Sequence, residues 1–172
     1  MIDFLAIFRA GFVRRWHTNP DLAHTNDRVD GHSARVARII LALHPNPSIG
    51  LIRAALIHDD GESVVGDIPS PTKDAVSFVC GPEFSEMEKD VRCRLWGMRW
   101  SDDEVRAQDA AWLKFADRLD AYMWAAHHAP HVLGGDGWPI ALVWLFAEGK
   151  RLGVDHCLDD VAEMRGARHA TP

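Results

Sequence analysis

A chain of 172 residues, 47% of them hydrophobic, is long enough for one domain with a real core and too apolar to be disordered. A formal net charge of −6 without any basic block argues against a nucleic-acid polymer as ligand, although a few local cations still suffice for a small phosphate ester. There is no apolar run of the ~20 residues a membrane span needs and no signal-peptide pattern, and Cys80, Cys93 and Cys157 fit neither a disulfide framework nor a zinc motif, so a cytoplasmic protein without a membrane partner is expected.

Residues 3 to 13 read as a helix capped by Asp3, with Phe4, Leu5, Ile7, Phe8 and Phe12 as its apolar face and Gly11 weakening its last turn. The segment that follows, V-R-R-W-H-T-N-P, has no period. It is either a solvated linker with one buried Trp, or a ligand loop in which Arg14 or Arg15 meets phosphate and Trp16 covers a base or sugar. A second helix is expected from Asp30 or Gly31, with Val36, Ile39, Ile40 and Leu43 inward and Pro45-Asn46-Pro47 as its stop. His32 lies in its first turn, where a protonated imidazole opposes the helix dipole and a neutral, metal-bound one does not.

Ser48 caps a third helix over about 49–60 that delivers His58 and Asp59 at its end. Adjacent helical positions point about 100° apart, so both can serve one ion only where the helix relaxes, and Gly61 supplies that end. Residues 62 to 73 read as irregular, and Asp74 to Cys80 as a short helix closed by Gly81-Pro82. A helix over 83–96 follows, then a capping box at Ser101–Glu104 before a long helix to about His128. Asp117 sits deep in that helix between Phe115, Ala116, Leu119 and Tyr122, where a carboxylate is costly unless paired or metal-bound. Gly134 to Trp138 forms a turn, Pro139 opens a helix to about Leu152, Val154 to Met164 forms a last one, and the tail from about 166 to 172 frays. With no alternating strand pattern, the fold class is all-α, a single domain of about seven or eight helices over 1–172.

Three helices thus carry His32, then His58-Asp59, then Asp117, and two imidazoles with two carboxylates suit a divalent transition ion with room for water. Asp120, one turn beyond Asp117, is the alternative carboxylate. His58 as a helix cap, Glu62 as a solvated loop residue, Asp67 as a turn residue holding backbone amides and Lys73 as a surface lysine are the plain readings of those residues. The run His127, His128 and His131 reads as a surface cluster, and Trp112, Trp124 and Trp144 as core.

The ordered pattern H…HD…D on successive helices resembles the HD-domain metal-dependent phosphohydrolases. The segments V-R-R-W-H-T-N-P, G-H-S-A-R-V-A, H-D-D-G-E-S-V-V-G-D-I-P-S-P-T-K and K-F-A-D-R-L-D-A-Y are similar to the sub-group of bacterial 5'-deoxynucleotidases and phage dATP triphosphohydrolases, over residues 12 to 124. Asp30-Gly31 departs from the acidic residue usual just before the first His, and the chain is short for the bacterial nucleotidases. The resemblance implies His32, His58, Asp59 and Asp117 as metal ligands and Glu62 as catalytic acid, with Asp67 as a second carboxylate beside the reacting phosphate. It further implies Arg15, Trp16 and Lys73 as phosphate and nucleoside contacts, and Thr18 and Pro71 in the deoxynucleoside pocket. The expected cofactor is one divalent transition ion (Co, Mn, Zn, Fe or Ni), with a second divalent ion carried by the substrate. The expected ligand is a small-molecule deoxynucleotide, dATP first and deoxynucleoside monophosphates as the alternative. A non-catalytic, metal-stabilised nucleotide-binding module is the further alternative, and a homo-oligomer is expected.

Overall fold

A computed structural model describes residues 1–69, 73, 83–97, 107–135 and 137–167. The expected helix at Asp74–Cys80, the capping box at Ser101–Glu104 and Pro71 lie outside the described residues. Among those described, secondary structure is helical apart from one isolated bridge between Arg14 and Arg28. In chain order the α-helices are α1 (Phe4–Ala10), α2 (Val29–Leu43), α3 (Ile49–Ile57), α4 (Glu62–Val65), α5 (Glu83–Leu95), α6 (Ala107–His128), α7 (Trp138–Leu152) and α8 (Cys157–Ala167), with a 3-10 turn over Pro130–Gly134. The all-α expectation holds. No described helix is long and apolar enough to cross a membrane.

The long helix α6 is the axis of the molecule, packed against α2, α3, α7 and α8. Its spacing puts Trp112, Phe115, Ala116, Leu119 and Tyr122 into the core, where they meet Val36 and Ile40 of α2, Leu51 and Ala55 of α3, Leu145 of α7 and Leu158 and Val161 of α8. The expected core role of Trp112 holds; Trp124 and Trp144 are half-buried against the same cluster. Burying side chains of this size contributes about 1.5–3 kcal/mol each, so the core fixes α6 firmly. Gly149 of α7 lies against Leu158 and Phe115, where an added Cβ would be 3.0 Å from Leu158 Cδ1, so a small residue is what lets α7 and α8 close on α6.

Element boundaries differ from the expected ones for local reasons. Asp3 caps α1 as expected, its Oδ1 accepting from the Ala6 N–H at 3.0 Å, but the helix ends at Gly11 after only seven residues. Its apolar face turns outward: Phe4, Leu5, Phe8 and Phe12 are exposed and only Ala10 is buried. Helix α3 stops at Ile57 because His58 turns its Nδ1 back to the Ala55 carbonyl at 2.9 Å. Residues 62–65, expected irregular, form the short α4, since the Glu62 N–H bonds the Asp59 carbonyl and the Gly66 N–H returns to the Glu62 carbonyl. Gly66 exits that turn at φ 79°, a conformation costly for residues with a Cβ. Helix α8 continues to Ala167, past the expected end.

Helix α5 docks onto the turn that follows α3. Arg92 Nη1 donates to the His58 carbonyl at 2.8 Å, Trp96 Nε1 donates to Asp60 Oδ2 at 2.9 Å, and a Cβ on Gly61 would fall onto the Glu88 backbone. Asp60 is buried there, and burial with the neighbouring Asp59 charge raises its carboxyl to about 6 against the opposing bond from Trp96. The His58-Asp59 turn is therefore gripped from both sides, by α3 and by α5.

Candidate metal centre

Three chain segments bring four side chains to one point. His32 comes from the first turn of α2 and is fully buried. His58 and Asp59 come from the end of α3, and Asp117 from the middle of α6. His32 Nε2 lies 3.1 Å from Asp117 Oδ1 and 3.3 Å from Asp59 Oδ2. His58 Nε2 lies 3.4 Å from Asp59 Oδ1 and 3.9 Å from Asp117 Oδ1. Ligands each about 2.1 Å from a common ion sit about 3–4 Å from one another, which is the spacing found here. One ligand atom each from His32, His58 and Asp59 lies within 4.8 Å of the others.

The donor set also fits an ion in a second respect. Both Nε2 atoms are buried and lack a hydrogen-bond partner among the described residues, although carboxylate oxygens stand beside them. Buried polar atoms are ordinarily paired, and two orphaned imidazole nitrogens facing two carboxylates are the arrangement a divalent cation satisfies.

Without a cation the four groups titrate against each other. Burial lowers the His32 imidazole, but the adjoining carboxylates of Asp117, Asp120 and Asp59 outweigh it and push it up to about 11. His58 is also raised: burial opposes the shift, and Asp59 and Asp117 exceed it. Asp59 and Asp117 are held below the usual carboxylate range, since the two histidines overcome the burial penalty.

Asp120 is 3% exposed and faces the other side of the His32 ring, its Oδ2 2.7 Å from Nδ1. The two carboxylates one turn apart thus divide between the two nitrogens of one imidazole, and it is Asp117 that turns toward the point where the other ligands meet.

Glu62, the first residue of α4, is 3% exposed rather than solvated. Its Oε1 receives Lys73 Nζ at 3.2 Å, and Lys73 Nζ is also 2.9 Å from Glu88 Oε1. Burial, with the charges of Asp59 and Asp67, raises Glu62 to about 9 against the opposing Lys73. Lys73 itself is raised, since Glu62 and Glu88 outweigh its burial.

Asp67 Oδ2 accepts from the Trp16 backbone N–H at 3.0 Å, which ties the segment after α4 to the loop after α1. Trp16 holds φ 64°, a strained backbone for a bulky residue, and two groups fix it: Asp67 at its N–H and Asp27 Oδ2, which accepts from its indole Nε1 at 3.1 Å. Its ring stands 6.0 Å from that of Trp138, which in turn stands 6.0 Å from Tyr122. Arg15 is 9% exposed, with Nη1 3.4 Å from Asp27 Oδ2 and 3.6 Å from Asp120 Oδ2; Arg14 is exposed. Burial works against the Arg15 charge, and Asp59, Asp117, Asp67 and Asp27 more than restore it. Thr18 is exposed in the turn closed by the Asn19 N–H on the Trp16 carbonyl. His127, His128 and His131 are exposed, as a surface cluster is expected to be.

Two acidic residues of the centre carry no readable signal in the sequence. Asp27, 1% exposed, joins Arg15, Trp16 and Arg35 from an aperiodic segment. Glu88 lies on the amphipathic α5 as one acid among several, and only the tertiary docking of α5 sets it beside Lys73.

No family model matches the chain. A stretch of 65 residues, 38% of the chain, is 35% identical to the voltage-dependent N-type calcium channel subunit alpha-1B of Mus musculus, of Rattus norvegicus and of Homo sapiens. The chain spans 3% of the length of these curated proteins, a similarity too local to define a family.

Proposed function

We propose that the chain is a metal-dependent phosphohydrolase of deoxynucleoside 5'-phosphates, of the HD-domain kind that its motifs resemble. The observation that carries this reading is the pair of buried, unpartnered imidazole Nε2 atoms of His32 and His58 facing Asp59 and Asp117, with a buried Glu62 four residues from His58.

His32, His58, Asp59 and Asp117 hold the divalent ion in this reading. Bound there, such an ion supplies Lewis acidity and water activated for attack near neutral pH. The chain's own groups do the rest. Water attacks the phosphorus that carries the nucleoside oxygen, the new P–O bond forms, the bond to the 5'-oxygen breaks, and the proton that water gives up passes to solvent, from which Glu62 regains the one it donates. That oxygen leaves with a proton, and Glu62, whose carboxyl burial and the charges of Asp59 and Asp67 raise, is the group that gives it in this reading. Arg15 opposes the negative charge that builds on the phosphoryl oxygens. Lys73 steadies the Glu62 carboxyl, and Asp67 holds the backbone of Trp16 so that the aromatic loop stays beside the centre.

With dATP the products are deoxyadenosine and triphosphate, and dATP is the first substrate we propose. The second reading, a 5'-deoxynucleotidase acting on monophosphates, is favoured by the placement of the cations. Arg35 is bound by Asp27 and Asp120, Lys73 by Glu62 and Glu88, and Lys114 and Arg118 lie over the Trp144 ring. That leaves few described cations for three phosphates. Incubation of the purified protein with Co²⁺ or Mn²⁺ and the dNTPs, dNMPs and ATP, followed by chromatography of the products, tests both. Deoxyadenosine from dATP supports the first reading and turnover of monophosphates alone the second. No product from any of these overturns the deoxynucleotide reading and leaves a hydrolase of signalling nucleotides or a metal-stabilised binding module.

A further inference from the structure

Behind His32 lies a buried network that metal ligation does not by itself require. Asp120 Oδ2 is 2.7 Å from His32 Nδ1, and the same carboxylate accepts from Arg35 Nε at 2.6 Å and Nη2 at 3.1 Å. Arg35 Nη2 also donates to Asp27 Oδ1 at 2.7 Å. Asp27 then receives Trp16 Nε1 at 3.1 Å and Arg15 Nη1 at 3.4 Å.

We infer that Asp120 is a positioning residue for His32, held by Arg35 so that it fixes the imidazole proton on Nδ1 and leaves Nε2 free to bind an ion. The inference rests on the metal-centre reading above. An ionised carboxylate has no donor, so a hydrogen bond to it requires the proton on the ring nitrogen it faces. Both Asp120 oxygens accept from Arg35, Oδ1 from Nε at 2.6 Å and Oδ2 from Nη2 at 3.1 Å, the pairing a carboxylate makes with a guanidinium. A neutral imidazole protonated at Nδ1 has its lone pair on Nε2, the buried atom that stands 3.1 Å from Asp117 and 3.3 Å from Asp59. Arg35 engages both oxygens, so Asp120 cannot rotate away. Asp27 anchors Arg35 from behind and also holds Trp16, which places the metal ligand and the aromatic loop on one buried hub.

The test is Asp120→Asn. In that variant the amide oxygen stays with Arg35 Nε, and the amide nitrogen replaces Oδ2 and donates to Nδ1. The imidazole proton then moves to Nε2 and blocks ligation. Titration of the metal-free protein with Co²⁺, followed by visible absorption, should show affinity about 10–100-fold weaker than wild type, as loss of an outer partner of a metal-bound His typically does. Equal affinity in wild type and variant overturns the positioning role and leaves the metal centre standing. Failure of the wild type to bind Co²⁺ or Zn²⁺ overturns both. A second measurement needs no variant to fold: in Zn²⁺-loaded wild-type protein, the ¹⁵N shifts of His32 should show a metal-bound Nε2 and a protonated Nδ1. Ligation through Nδ1 overturns the inference.

Discussion

Metal binding to this centre should eject protons. In the metal-free protein His32 is pushed up to about 11 by the carboxylates around it. At pH 7 the ring is therefore held protonated, and freeing its Nε2 for an ion means expelling that proton. His58 is raised too and adds to the release. Each proton displaced makes apparent affinity about tenfold tighter per pH unit, so from pH 6 to 8 binding should tighten at least about 100-fold. The same shift fixes a sign for stability. A group raised in the folded state stabilises below its unfolded pKa and loses that contribution as pH rises through the folded one. His32 in the metal-free protein therefore loses its contribution from about pH 6.5 to 11, and Glu62, raised to about 9, acts in the same direction from about 4.5 to 9. With metal bound, the His32 part of the slope should vanish. Calorimetric titration at pH 7 in buffers of different ionisation enthalpy counts the protons. Binding with none released would refute the electrostatic description of the centre.

Asp117→Asn should abolish metal retention and activity together, read by metal analysis after dialysis and by phosphate-ester hydrolysis; full retention would place the ion elsewhere. Glu62→Gln should keep the ion and slow turnover about 10²–10⁴-fold, the usual range for a general acid. An unchanged rate would move the acid role to another group, Asp67 first. Gly61→Ala places a methyl group on the Glu88 backbone, so α5 should shift and its amides exchange faster in hydrogen-exchange measurements. Unchanged protection would mean that α5 is not packed on the His58 turn as described.

Helices α2, α3 and α6 were legible from the amphipathic period of α2, the apolar run of α3 after Ser48 and the length of α6, and because the residue types on their inner faces are costly there without a job. His32 and Asp117 stood out for that reason, an imidazole in a first helical turn and a carboxylate placed in sequence among Phe115, Leu119 and Tyr122; those three face the core, whereas the Asp117 side chain is 37% exposed and turns to the metal centre instead. The direction in which each carboxylate points was not legible. Asp117 and Asp120 are both one-turn neighbours on α6, and only the His32 ring between them shows which faces the ion site. The outward face of α1 was equally hidden, since Phe4 and Phe8 have the period of a core helix but lie exposed among the described residues. Asp27 and Glu88 matter through contacts far along the chain, which no local pattern encodes.

Charge decides the order in which this centre can fill. Asp27, Asp59, Asp67, Asp117 and Asp120 surround it, and the guanidinium groups of Arg15 and Arg35 are already engaged by Asp27 and Asp120. The carboxylates draw a proton onto His32 and favour one on His58, which offsets part of that charge in the metal-free state, but a phosphate ester would still approach the carboxylates of Asp59 and Asp117. One uncompensated charge about 5 Å away is worth about 3 kcal/mol at an effective dielectric of 20, more than about a hundredfold in Kd. A divalent ion reverses that sign, so the ion should bind before the nucleotide. Equilibrium binding of dATP and dAMP to the Glu62→Gln protein, with Zn²⁺ and after chelation, measures this: the chelated protein should bind at least about a hundredfold more weakly. Equal binding in the two states would mean that the nucleotide is held by the loop of Arg15 and Trp16 alone and that the centre does not draw the phosphate.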